Sequence, residues 1–209
     1  TLWYFEAIRQ YYCHTQDKAF LREIFPILAD IIQWHQQGTR FNIHLDAKDG
    51  LISGGAPGRQ LTWMDAKVGN WVVTPRQGKP VEISALWYCA VSGMSQFARI
   101  LGHSTTDYEA LADLTRKGFQ RFWNQNKGYC WDVLDTPSGN DDSLRPNQIF
   151  AVSLPAGFAD IPPLLTPEQQ LKVVECCQKA LLTPYGLRSL APDDPRYQGH
   201  YGGAQKQRD

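Results

Sequence analysis

Three tryptophans of this sequence stand near acidic or amide residues in segments rich in glycine and proline: Trp63 near Asp65, Trp71 beside Asn70, and Trp131 beside Asp132. Such neighbours have a definite chemistry. An indole face covers the apolar C–H face of a pyranose, while carboxylate and amide groups hydrogen-bond its hydroxyls. Paired carboxylates can also split a glycosidic bond, one protonating the leaving oxygen and the other acting on the opposite face of the sugar. Packing remains open as a second role for these three indoles. For Trp3, Trp34 and Trp123, placed at helical spacings, the core is the expected location.

Other chemistries are poorly served. The chain has 209 residues with 21 Lys+Arg against 21 Asp+Glu, and this zero net charge lacks the long-range pull on phosphate that nucleic-acid and anionic-membrane binders use. No apolar run reaches the roughly 18 residues of a membrane span, so no membrane partner is expected. The five cysteines, Cys13, Cys89, Cys130, Cys176 and Cys177, form no C-x-x-C pair and fit neither a disulfide framework nor a zinc knuckle. A reducing, cytoplasmic setting suits them. The five histidines show no metal-binding spacing, and Asp46-Ala47-Lys48-Asp49-Gly50 lacks the later ligands of a calcium loop and reads as a turn. No metal or cofactor is expected.

The elements that must position these groups are mostly helical. From Asp17 to Gln37, Leu21, Ile24, Leu28, Ile31 and His35 recur at three- and four-residue steps, Gly38 stops the pattern, and Pro26 predicts a kink or restart. A second helix is predicted from about Pro80 to Leu101, closed by Gly102, and a third from N-cap oxygens at Ser104–Asp107 through Trp123. The fourth begins at Thr166-Pro167-Glu168 and stops near Thr183-Pro184. Leu2-Trp3-Tyr4-Phe5 reads as the middle of an apolar element, which implies a true N-terminus upstream. Between the helices lie long aromatic and charged loops, 38 to 80, 126 to 145 and 184 to 209, with Tyr129–Asp132 as a possible short strand. Loops of that length in a compact domain point to function.

Several separated motifs carry a resemblance. Leu61-Thr62-Trp63-Met64-Asp65-Ala66-Lys67, Val73 through Ile83, Ala85-Leu86-Trp87-Tyr88 and Arg145-Pro146-Asn147-Gln148 through Pro155 resemble the glucosidase domain of glycogen debranching enzymes, the amylo-α-1,6-glucosidases. Tyr185 to Leu190 and Tyr197 to Tyr201 extend the likeness over most of the chain. The resemblance implies an all-α fold, an (α/α)6 barrel or six-hairpin toroid whose loops carry short strands and the active site. At roughly 11–20 residues per helix, twelve helices exceed this length, so residues 1–209 are expected to hold about half of such a domain, truncated at both ends and inactive alone.

The resemblance further implies hydrolysis of the α-1,6-linked glucose at glycogen branch points, with glycogen or a branched α-glucan as partner. It places a catalytic Asp at Asp65, the expected general acid, and an inverting base beyond Asp209. Trp63, Lys67, Arg76, Glu82, Trp87, Asp132, Arg145 and Asn147 are the candidate substrate-binding residues. Each has a structural reading too: Glu82 sits where a helix dipole favours a carboxylate, Arg76 and Lys79 could pair with it, Asn147 could cap a short helix, and Trp87 lies on the buried stripe. A glucoamylase-like or trehalase-like hydrolase and a non-catalytic polysaccharide-binding module are the alternatives.

Overall fold

Apolar periodicity and helix caps shape a mainly helical chain with short strands in its loops. A computed structural model describes residues 1–157, 160–200 and 202–203. Helices α1 (Trp3–Thr15) and α2 (Lys18–Gln37) come first, followed by two antiparallel pairs, β1 (His44–Asp46) with β2 (Leu51–Ser53) and β3 (Lys67–Val68) with β4 (Trp71–Val72). Strand β5 (Lys79–Pro80) leads into α3 (Val81–Leu101), and α4 (Thr106–Phe119) tightens into a 3-10 turn, Gln120–Phe122. β6 (Trp123–Asn124) pairs with β7 (Tyr129–Cys130), while β8 (Val133–Thr136) lies between β5 and β9 (Gly139–Asp141). A second 3-10 turn, Pro146–Ile149, precedes α5 (Phe150–Ala156), and α6 (Pro167–Leu181) runs into the hairpin of β10 (Leu182–Thr183) and β11 (Gly186–Leu187).

The caps act where their chemistry requires. The Asp17 carboxylate accepts from the Phe20 N–H at 2.9 Å at the start of α2, and Gly38 ends the helix at φ 96°. Thr166 and Gln169 form a reciprocal capping box on α6. Gly102 closes α3 in the left-handed conformation. Helix α2 continues through Pro26 as one helix, so of the kink and the restart the restart is excluded. Two expectations need correction. Thr105 precedes α4 without a side-chain cap bond, and α4 stops at Phe119 because the 3-10 turn stacks Phe119 on Phe122 at 4.7 Å and delivers Trp123 to β6. Trp3 and Trp34 are 50% and 59% exposed, on faces of α1 and α2 that the described residues leave uncovered.

Helix α3 is the axis of the core. Sixteen of its 21 residues are buried, so it is enclosed on all sides rather than laid on a surface. It packs against α1, α2, α4, α5, β2 and β5, with Trp87, Met94 and Phe97 inside. Small polar side chains, Ser84, Ser92 and Ser95, let neighbours approach closely.

A separate ionic knot ties the loops to this axis. The Lys79 ammonium lies 2.8 Å from Asp46, 2.8 Å from Asp49 and 2.9 Å from Asp135, and Arg121 bonds both Asp49 and Asp135. The Asp46–Gly50 turn therefore faces an ammonium, and Gly50 supplies its positive φ of 70°. The turn also seats on α4: Thr115 Oγ1 donates to the Gly50 carbonyl at 2.9 Å, and a Cβ on Gly118 would stand 1.9 Å from the Asp49 carbonyl oxygen.

Two outcomes follow for stability. Gly118→Ala should lower the unfolding free energy by about 3 kcal/mol, measured by urea titration, against about 1 kcal/mol for Thr166→Ala. Lys79 holds Asp46, and Arg121 then Lys79 hold Asp135, below the usual aspartate range. A depressed carboxylate stabilises the fold above its unfolded value, near 3.9, and that contribution is lost as pH falls through the lower folded value. Unfolding midpoints should therefore drop as pH falls from about 5 to about 2, and Asp135→Asn should show a smaller drop.

Candidate active site

The N-terminal ends of α1, α3 and α5 and the C-terminal end of α2 meet at a cavity of about 770 Å³. Leu2 and Trp3 come from the start of α1, His35 from the end of α2, and Glu82, Ile83 and Leu86 from the start of α3. Asn147, Ile149 and Phe150 close the opposite wall, with Trp63 arriving on the long loop and Leu187 from β11. The lining is largely apolar with a few polar groups, the usual character of a small-ligand site. Trp3 meets the Phe150 ring edge-on at 5.3 Å. A smaller depression of about 250 Å³ beside α3 and α4 has four of its charged side chains paired, Arg99 with Glu109 and Arg116 with Asp113, each at 3.0 Å.

Behind the cavity lies a buried ionic cluster. Arg76 donates Nε to Asp132 Oδ2 at 2.9 Å and Nη2 to Asp132 Oδ1 at 3.0 Å. The same guanidinium grips Glu82 through both Nη nitrogens, Nη1 to Oε1 and Nη2 to Oε2, the latter at 2.7 Å. Side-chain exposure is 1% for Arg76, 3% for Glu82 and 2% for Asp132. At that depth two carboxylates persist only beside a cation. Burial pushes the Asp132 carboxyl upward, against the pull of Arg76, with Glu82 adding to the rise. Arg76 is held above its ordinary value by the same two carboxylates, in spite of its burial.

Backbone geometry places Asp132. Its N–H donates to the Asp141 carbonyl at 2.8 Å and its carbonyl accepts from the Val81 N–H at 3.0 Å, so it sits where the β5–β8–β9 sheet meets the start of α3. Asn147 connects this cluster to the cavity rim. Its Nδ2 donates to Asp132 Oδ1 at 2.7 Å, and its Oδ1 accepts from the Trp63 indole N–H at 2.8 Å. The indole thus stands at the rim, 55% exposed, in a fixed orientation. Arg145 reaches Asp132 at 3.6 Å and donates to the Ser189 carbonyl at 3.0 Å, tying the C-terminal loop to the same charges.

The nine residues singled out in the sequence divide into four groups. Trp63, Glu82 and Asn147 line the cavity; Arg76, Asp132 and Arg145 lie directly behind it. Asp65 and Lys67 stand exposed on the loop that follows Trp63, where Lys67 donates to the Gly58 carbonyl at 3.0 Å. No hydrogen bond or ion pair among the described residues engages the Asp65 carboxylate. Trp87 is fully buried in the core, outside the cavity lining, with the ring of the lining residue His35 against it. Lys79 belongs to the knot with Asp46, Asp49 and Asp135 rather than to Glu82. Tyr201 and residues 204 to 209, with the expected loop at Gln207–Asp209, fall outside the described residues.

The apolar contributors, Ile83, Leu86, Ile149 and Phe150, carried no chemical signal in the sequence, and His35 was legible only as a polar residue on an apolar stripe. None of the five cysteines, all of them free, is among the residues that line the cavity, and burial pushes Cys130 and Cys177 up to about 12. Among the described residues no helix is long and apolar enough to cross a membrane.

Over residues 1–209 the chain matches the protein family described as Amylo-alpha-1,6-glucosidase. It is 25% identical to the glycogen debranching enzyme of Saccharomyces cerevisiae, across 79% of this chain, and spans 13% of the length of that relative. Among solved structures it is similar to a GH78 family rhamnosidase of Bacillus sp. GL1, with a TM-score of 0.56 at 18% identity, over 86% of this chain and 19% of that one. That likeness is one of fold.

Removing the central cation should be severe. Arg76→Met leaves two buried carboxylates without a counter-charge and should cost about 3–5 kcal/mol of unfolding free energy in urea titration. Asp132→Asn, which leaves Arg76 paired with Glu82, should cost less.

Proposed function

Because the chain belongs to the amylo-alpha-1,6-glucosidase family, we propose that it forms part of a glycoside hydrolase site that releases the α-1,6-linked glucose at glycogen branch points. The observation that carries this reading is the Trp63–Asn147 hydrogen bond. It fixes an exposed indole at the rim of the cavity, two residues before Asp65 on the same loop. An indole face so held suits the C–H face of a glucose ring, while Glu82 and Asn147, whose polar atoms are engaged by Arg76, Asp132 and Trp63, fix the wall beside it.

In this mechanism Asp65 protonates the leaving oxygen, and a carboxylate from outside residues 1–209 activates water on the other face. Asp132 is unsuited to the second role. Its oxygens are taken up by Arg76 and Asn147, and its side chain is closed off from solvent. Arg76, Asp132 and Arg145 set the wall from behind, and Lys67 holds the Asp65 loop through Gly58. The chemistry needs only acid and base, without metal or nucleotide. We also propose that the helices are about half of an (α/α)6 toroid, since α1, α3 and α5 start at the cavity while α2 ends there. The cytoplasm is the compartment proposed, in keeping with five free cysteines.

Glucose release from phosphorylase-trimmed glycogen, by the protein in its full natural length, tests the reading. Asp65→Asn should lower turnover by about 10²–10⁴-fold, the range for loss of a general acid, while glycogen binding persists. Undiminished release would move the acid elsewhere. Release from trehalose or maltose in preference to trimmed glycogen would favour the glucoamylase-like or trehalase-like alternative, and binding without turnover in the unaltered protein would favour the polysaccharide-binding module.

A further inference from the structure

His35 lines the cavity from the last turn of α2 and is 9% exposed. Its Nδ1 lies 2.7 Å from the Ile31 carbonyl oxygen. A carbonyl only accepts, so Nδ1 carries the proton and Nε2 keeps its lone pair. The ring plane is set by Trp87, whose fully buried indole lies 5.5 Å away at 31°. Burial holds the imidazole below the usual histidine range, which keeps this tautomer neutral near pH 7. Nε2 has no hydrogen bond among the described residues. The cavity lining also includes the aliphatic Ile43, Ile52 and Leu86 and the first residue Thr1, whose ammonium too favours the neutral His35, and Glu82 has both oxygens on Arg76. A nine-tenths buried, oriented side chain that lines the cavity thus keeps one acceptor open to a partner that enters it.

We infer that His35 Nε2 accepts a hydrogen bond from a hydroxyl group of the sugar bound in this cavity. The inference rests on the reading of the cavity as a glucan site and adds a residue to it. The fitting ligand is a neutral polyol ring. It donates one hydroxyl to His35 while a face lies against Trp63, and a sugar lacking that hydroxyl leaves the imidazole without a partner. A site built around such a bond rejects the deoxy analogue more strongly than an apolar pocket rejects an added group.

Two variants in the protein of full natural length separate this role from packing. His35→Phe keeps a ring against Trp87 and removes the acceptor; His35→Gln places an amide oxygen near the position of Nε2. The expected result is that His35→Phe raises KM for trimmed glycogen and weakens calorimetric binding of isomaltose by about tenfold, with kcat changed far less. His35→Gln should stay within about threefold of the unaltered protein, at the same melting temperature as His35→Phe. Equal affinity in all three proteins, or equal losses in the two variants, would overturn the assignment. If the unaltered protein binds isomaltose but releases no glucose, the glucosidase reading falls and the binding comparison still decides His35. If it binds no sugar, both fall.

Discussion

One guanidinium organises the cavity. Arg76 takes two carboxylates out of water at once, Glu82 at the first turn of α3 and Asp132 at the head of β8. Neither could be buried as an anion alone, because the desolvation cost of an isolated charge exceeds what nearby dipoles return. With Arg76 between them, the loop, the central helix and the three-stranded sheet have one relative placement. Asn147 extends that placement to Trp63, so the orientation of an exposed indole depends on a charge cluster entirely beneath the surface. The rim is rigid where a sugar ring would rest, while the segment with Asp65 and Lys67 projects into solvent.

Short-range chemistry was legible in the sequence. Asp17, Gly38, Gly102 and the Thr166-Pro167 pair bound their helices as their φ/ψ preferences and hydrogen-bonding capacity require. Chain segments far apart were less legible. Arg76 and Asp132 are separated by 56 residues, and nothing local distinguishes that aspartate from one in a solvated turn. Short strands such as β3, β4 and β6 escape periodicity because two residues cannot display an alternation. The tryptophans show the same limit. Helical spacing identifies a face, but which faces are covered depends on what packs there, so Trp87 is buried and Trp3 and Trp34 are not.

The family match covers the entire chain, yet the chain spans 13% of the yeast debranching enzyme. The cavity accordingly draws on helix ends that alternate in direction, with the open sides of α1 and α2 carrying large apolar residues such as Trp34 and Ile27. Site and fold are therefore coupled: the same helices that wall the cavity carry the uncovered faces.

The knot around Lys79 constrains how this sequence can drift. Its single positive charge is shared among carboxylates from the β1 strand, the turn after it and the β8 strand, with Arg121 balancing two of them. A lineage that neutralises one aspartate takes an ion-pair partner from Lys79, and one that loses the lysine leaves three clustered acids against Arg121 alone. Positions 46, 49, 79, 121 and 135 should thus change in concert across generations, inherited as a set although they are scattered along the chain.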